Sequence, residues 1–151
     1  MLLIKFGGSS VGSVENLHRV VQIVKKQTEP FTMVVSAFSG VTNTLQSLGE
    51  NALNNTHQPI LEALKERHIS MAKSLLQINK QTNALVHIGK TVLTLENLCN
   101  SICTLGELSD RTKARIMAQG ELLSAFIIGE YLNQEGVTVS YLPSENYIVA
   151  E

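Results

Sequence analysis

The chain opens on an apolar run, MLLIKF (1–6), broken only by Lys5, and a second such run, FTMVVSAF, occupies 31–38. Runs that are apolar at nearly every position predict strands buried on both faces. Between them Val14, Leu17, Val20, Val21 and Val24 recur at helical spacing. Glu15 near the start of that stretch and Lys25 and Lys26 near its end suit the helix dipole. A strand, a helix and a strand in this order form a βαβ unit, hence a parallel pair with a right-handed crossover. The segment SGVTNTLQSLGENALNN (39–55) reads as a loop feeding a helix, with Thr42 or Asn43 available as its cap.

Two longer helices follow. Their apolar seams run Leu61, Leu64, His68, Met71, Leu75, Ile78 and Leu85, Ile88, Val92, Leu95, Cys99, Ile102, both stepping three and four alternately. NKQT (79–82) is short enough to join them as an antiparallel hairpin. The stretch 107–136 predicts a long helix with Gly136 as a C-terminal cap. VTVSYLP (137–143) predicts a third strand and YIVA (147–150) the start of a fourth. A sheet pattern that breaks off in a strand is not expected of a natural α/β design. No repeat or low-complexity linker divides residues 1–151, so one unit is expected.

Composition narrows the function little but excludes several classes. A formal net charge of −1 argues against a nucleic-acid-binding surface. No run approaches the roughly 20 apolar residues of a membrane span, and the amino terminus lacks the parts of a signal peptide. A cytoplasmic protein is expected. Cys99 and Cys103 are the only cysteines, too few for a zinc site. In a reducing compartment they read as seam residues.

The candidate chemistry lies in KFGGSSVGS (5–13), between the first strand and the first helix. Ligands of open parallel sheets bind beyond the carboxyl ends of strands, where this loop sits. Gly7 and Gly8 let backbone N–H groups approach an anion, Ser9 and Ser10 add hydroxyls, and the helix start near Ser13 adds free N–H donors. The Walker pattern GxxxxGK[ST] is not met, because Lys5 precedes the glycines, and GxGxxG is not met either. A lysine and a glycine nest around one point suit a transferring phosphoryl group. From spacing alone, a tight βα turn with a solvated lysine explains the residues equally well.

KFGGSSV (5–11), VVSAFSGVTNTL (34–45) and AQGELLS (118–124) together resemble, in order and spacing, the motifs of aspartate kinases in the amino-acid kinase family. The resemblance covers essentially the whole chain. It departs at Ser9, where the usual motif has Thr, and the hydroxyl is kept. It implies an αβα sandwich on a mainly parallel sheet, cut after its N-terminal lobe, with a protruding helical hairpin. It implies that Lys5 contacts the ATP phosphates and stabilises the transferred group, with Gly7, Gly8 and Ser9 around it. Ser36 and Thr42 would line the aspartate pocket, and Glu121 would hold the α-ammonium.

Each of these has a plainer alternative. Ser36 could bond only to backbone, Thr42 could be only a cap, and Glu121 an exposed helical glutamate. Buried neighbours around Glu121 would instead make its carboxylate seek a cation, and Gly120 within a helix implies close packing.

The implied reaction moves the γ-phosphoryl of ATP to the β-carboxylate of L-aspartate, opening lysine, threonine and methionine biosynthesis. Mg²⁺ would be held through the nucleotide and not by a protein metal site. The resemblance further implies a nucleotide lobe and regulatory domains beyond residue 151, in some members a homoserine dehydrogenase, and a homo-oligomeric parent. On it, residues 1–151 alone are expected to be inactive. The alternatives are another amino-acid kinase family member, acting on a different carboxylate or a carbamate, or a non-catalytic α/β module that binds an effector or partner.

Overall fold

The computed structural model describes residues 1–143 and 146. Strands β1 (Leu2–Phe6) and β2 (Phe31–Val35) run parallel, with Leu2 opposite Phe31 and Phe6 opposite Val35. Helix α1 (Val14–Val24) makes the crossover and buries Leu17, Val20, Val21 and Val24, the stripe that the spacing predicts. Ser13 caps it, its hydroxyl accepting the Asn16 N–H at 3.2 Å.

The strands are not buried on both faces. Ile4, Phe31, Met33 and Val35 pack with Phe6 onto the helical core. The opposite face presents Leu3, 68% exposed, and Val34, 46% exposed, with Lys5 and Thr32 also exposed. Alternation is present in the structure but hidden in the sequence, because Leu and Val hold two of the outward positions. Among the described residues the helices cover one face of the sheet.

Helix α2 (Val41–Ala52) begins after Gly40, whose φ of 79° is left-handed, and no side chain caps it. Thr42 and Asn43 therefore lie inside the first turn, and neither is the cap expected from the sequence. Helices α3 (Gln58–Leu75) and α4 (Thr82–Leu105) form the hairpin, joined through a short 3₁₀ turn at Ile78–Lys80. The hairpin packs against α2 and against α5 (Asp110–Gln134), so it is docked along the body instead of protruding.

That docking alters the seams. Ala72 is buried while Met71 is only half-buried, and Ile78 is 89% exposed because α3 has already ended. In α4, Ala84 and Thr91 are buried alongside Ile88, Leu95, Cys99 and Ile102, while Leu85 and Val92 are half-buried. A helix with neighbours on several sides buries a wider stripe than a two-helix seam. Burial pushes the Cys99 thiol up to about 11, helped by Glu96, so it stays a protonated core residue.

Gly136 ends α5 in the left-handed conformation, with Val137 N–H donating to the Leu132 carbonyl at 2.9 Å, as a glycine cap predicts. The third strand expected at 137–143 does not form. Asn133 brackets Val139 instead, its amide donating to the Val139 carbonyl and accepting the Val139 N–H. Tyr141 then packs edge-on against Phe126 and His87. Those backbone groups satisfied by a side chain have no need of a sheet partner. The fourth strand expected at 147–150 lies outside the described residues. No helix among the described residues is long and apolar enough to cross a membrane.

His68 is fully buried, its Nδ1 2.8 Å from the Leu64 carbonyl and its Nε2 without a partner among the described residues. Desolvation, with a smaller contribution from Arg67, lowers its pKa below the ordinary 6.5, against the raising effect of the Leu64 carbonyl. His87 is lowered likewise, by burial first and Lys90 second. The unfolded chain thus takes up protons more readily than the folded one as pH falls through 6.5, and stability is highest above that value. Thermal unfolding should show a melting temperature that drops between pH 7 and 5. His68→Leu should flatten that drop, and an unchanged slope would remove His68 from the account.

Candidate active site

The candidate residues gather at the carboxyl ends of β1 and β2. After Phe6 the chain turns at once, the Ser10 and Val11 N–H groups both donating to the Gly7 carbonyl at 3.0 and 3.2 Å. Those two bonds close the turn and leave the N–H groups of Gly7, Gly8 and Ser9 without an acceptor among the described residues. The Asn16 side chain fixes the turn from α1, donating to the Ser9 carbonyl at 2.8 Å. The turn lies directly on the β2–α2 loop. A Cβ on Gly8 would come to 3.3 Å from the Ala37 carbonyl, and one on Gly12 to 3.0 Å from the Ser39 Cβ. The glycines are needed for this approach of backbone to backbone.

Ser36 extends the ladder past β2, its N–H donating to the Phe6 carbonyl at 3.1 Å. Its carbonyl receives the buried Ser124 hydroxyl of α5 at 2.8 Å. The Ser36 hydroxyl makes no hydrogen bond within the described chain, so the backbone bond open as an alternative is not seen. Thr42 is exposed in the first turn of α2 and its hydroxyl is equally free. That turn has no acidic residue and no side-chain cap; the Val41 N–H donates to the Phe38 carbonyl at 2.9 Å, and those of Thr42 and Asn43 have no acceptor among the described residues.

Gly120 docks α5 on the same loop. A Cβ there would lie 2.9 Å from Leu45 Cδ1, 3.0 Å from Ala37 Cβ and 3.2 Å from Val41 Cγ1. This is the close packing that a glycine within a helix predicts. Glu121 follows it and stands on α5 one turn before Ser124. It is exposed, contrary to the buried surroundings expected from its neighbours. Its carboxylate bonds to nothing among the described residues and forms no ion pair with Lys5.

Lys5 lies on the open face of β1, exposed and without a hydrogen bond or ion pair among the described residues. The structure thus unites the three motifs through Gly8, Gly12, Ala37, Ser39, Gly120 and Ser124, while the polar ends of Lys5, Ser36, Thr42 and Glu121 stay uncommitted. Ser124 and Arg67 were not singled out from the sequence. Arg67 reaches from α3 to donate to the Ser39 carbonyl, a contact spanning 28 residues that no local pattern reveals. The nearest described concavity is an open depression of about 290 Å³ on the α1 side of the loop. It includes Ser9 but none of Ser36, Thr42 or Glu121.

The arrangement suits an anionic group. Unbonded amides, a helix start without acid and an unpaired ammonium all favour negative charge. Among the described residues no three His, Cys, Asp or Glu side chains gather as metal ligands.

The chain matches the model of the amino acid kinase family over residues 1–149. It is 34% identical over 142 residues to aspartokinase 1, chloroplastic, of Arabidopsis thaliana, covering 89% of this chain and 24% of that protein. Its fold matches E. coli aspartokinase III in complex with lysine and aspartate, with a TM-score of 0.80 at 22% identity over 91% of this chain and 30% of that one. The same enzyme with aspartate and ADP gives a TM-score of 0.79 at 22% identity over 90% of this chain and 29% of that one. The chain spans less than a third of the length of each of these proteins.

Proposed function

Because the chain belongs to the amino acid kinase family, we propose that residues 1–151 are the amino-acid-binding half of an aspartokinase catalytic domain. The parent would be a homo-oligomeric, cytoplasmic enzyme of lysine, threonine and methionine biosynthesis. The nucleotide lobe and regulatory domains would lie in the remaining length that the relatives have. The observation that supports this best is the meeting of three distant motifs at the strand ends, with their polar groups unengaged.

In this reading the β-carboxylate of L-aspartate attacks the γ-phosphorus of ATP, a P–O bond forms, and ADP departs with the electrons of the bond it loses. A carboxylate is already ionised at neutral pH, so no general base is needed. Two anions must instead be brought together, and the free N–H groups of Gly7, Gly8 and Ser9 with the Lys5 ammonium supply the opposing charge. Ser36 and Thr42 donate hydroxyls to the amino acid, and Glu121 receives its α-ammonium. Mg²⁺ is carried by the nucleotide phosphates, where it offsets charge on the transferring group.

The test is the full-length protein with ATP, Mg²⁺, L-aspartate and hydroxylamine, which should yield aspartyl hydroxamate. Residues 1–151 alone should yield none. Production from another amino acid but not aspartate would move the reading to a different family member. Glu121→Ala should raise the KM for aspartate by about tenfold or more while leaving the KM for ATP near its original value, as loss of a charge-assisted contact requires. An unaltered aspartate KM would count against this role.

A further inference from the structure

The β2–α2 loop is held from a side that none of the three motifs supplies. The Arg67 guanidinium of α3 donates to the Ser39 carbonyl, and a Cβ on Gly40 would lie 3.5 Å from its Nη1. Next along the helix, the buried His68 ring lies 5.6 Å from the Phe38 ring, tilted by 33°. Arg67 has no carboxylate partner among the described residues, unlike Lys65 on the same helix, which pairs with Glu62 at 3.5 Å. An exposed arginine committed to a neutral carbonyl 28 residues away acts on that loop and not on its own helix.

The point it holds matters. Gly40 turns the chain through left-handed backbone into the first turn of α2, which carries Thr42, while Ser36 stands just before the loop. Glycine at a left-handed position has many accessible conformations, so it does not fix the turn by itself. A planar guanidinium, with several donors in a fixed fork, restrains a carbonyl in a way that a flexible amine does less well.

We propose that Arg67 is a positioning residue for the amino-acid substrate, fixing the Ser39–Gly40 turn so that the Ser36 and Thr42 hydroxyls converge. This rests on the function proposed above and adds to it a residue from the helical hairpin. In the full-length protein, Arg67→Met should raise the aspartate KM by about tenfold or more, since small misplacements of binding groups are costly. The KM for ATP should stay within about twofold, because the Arg67 hydrogen bond goes to the Ser39 carbonyl and not to the lysine–glycine turn itself. Amide hydrogen exchange across 38–44 should quicken at least about tenfold as local opening becomes easier. Arg67→Lys, able to donate one bond to the carbonyl, should recover part of both effects, and Lys65→Met should produce neither.

Unaltered exchange across 38–44 in Arg67→Met would overturn the inference, whatever the kinetics. Faster exchange with an unaltered aspartate KM would overturn it as well, since the turn would then move without consequence for the substrate. A wild-type protein that phosphorylates no aspartate would overturn the function proposed above and, with it, the substrate role of Arg67. The exchange measurement would then still decide whether Arg67 restrains the turn.

Discussion

Replacing Lys5 with alanine in the full-length protein is expected to lower kcat by about a thousandfold, the scale on which a preorganised charge at the reacting centre acts. The aspartate KM should change little, because Ser36, Thr42 and Glu121 remain. The loss cannot be ascribed to unfolding. Lys5 is exposed and forms no hydrogen bond or ion pair among the described residues, so the melting temperature should stay within about 2 °C, as for other surface substitutions. Lys5→Arg keeps the charge but spreads it over a larger planar group, and should recover only a fraction of the rate. A fall in kcat of less than about tenfold would remove the ammonium from the transfer step.

Gly120→Val should bring the largest loss of stability. The first carbon added at this position already meets Ala37 Cβ at 3.0 Å, and that atom is fixed to backbone. Leu45, at 2.9 Å, is fully buried and has nowhere to swing. Two further methyl groups enlarge the conflict, and the gain in helix propensity over glycine is small for a β-branched residue. Overpacking of this kind costs about 3 kcal/mol, which for a chain of this size lowers the melting temperature by roughly 6–12 °C. Thermal unfolding followed by circular dichroism measures it, and a change under about 2 °C would mean that α5 can shift freely. Any shift that relieves the clash also displaces Glu121 and the Ser124 bond to Ser36, so the aspartate KM should rise in the same variant.

The helices were readable because each buries one stripe, and period alone reveals a stripe. Where a helix gained further neighbours the reading slipped, as at Ala72 and Thr91. The first two strands lie where the apolar runs put them, the second ending at Val35 and not at 38, but their burial was not legible, since Leu3 and Val34 are apolar residues in outward positions. VTVSYLP carries the residues of a strand, yet Asn133 and the Phe126–His87 pair hold it elsewhere. Strand propensity cannot report such a competitor.

At the site, the glycines were legible because backbone contact excludes side chains, and Gly120 showed this most plainly. The exposure of Glu121 was not legible, since apolar neighbours along a helix need not share its face. Arg67 and Ser124 left no local signal at all. Their partners, Ser39 and Ser36, lie far off in the chain, and only the folded arrangement introduces them.

The uncovered side of the sheet has a consequence for how these residues behave when newly made. Until further chain covers them, Leu3 and Val34, with Lys5 and Thr32 beside them, form a short, partly apolar ribbon whose edges are open among the described residues. Such ribbons recruit one another into aggregates unless something shields them. Chaperone demand during synthesis should therefore track the bareness of this ribbon, and a lysine at position 34 would be the simplest way to quiet it.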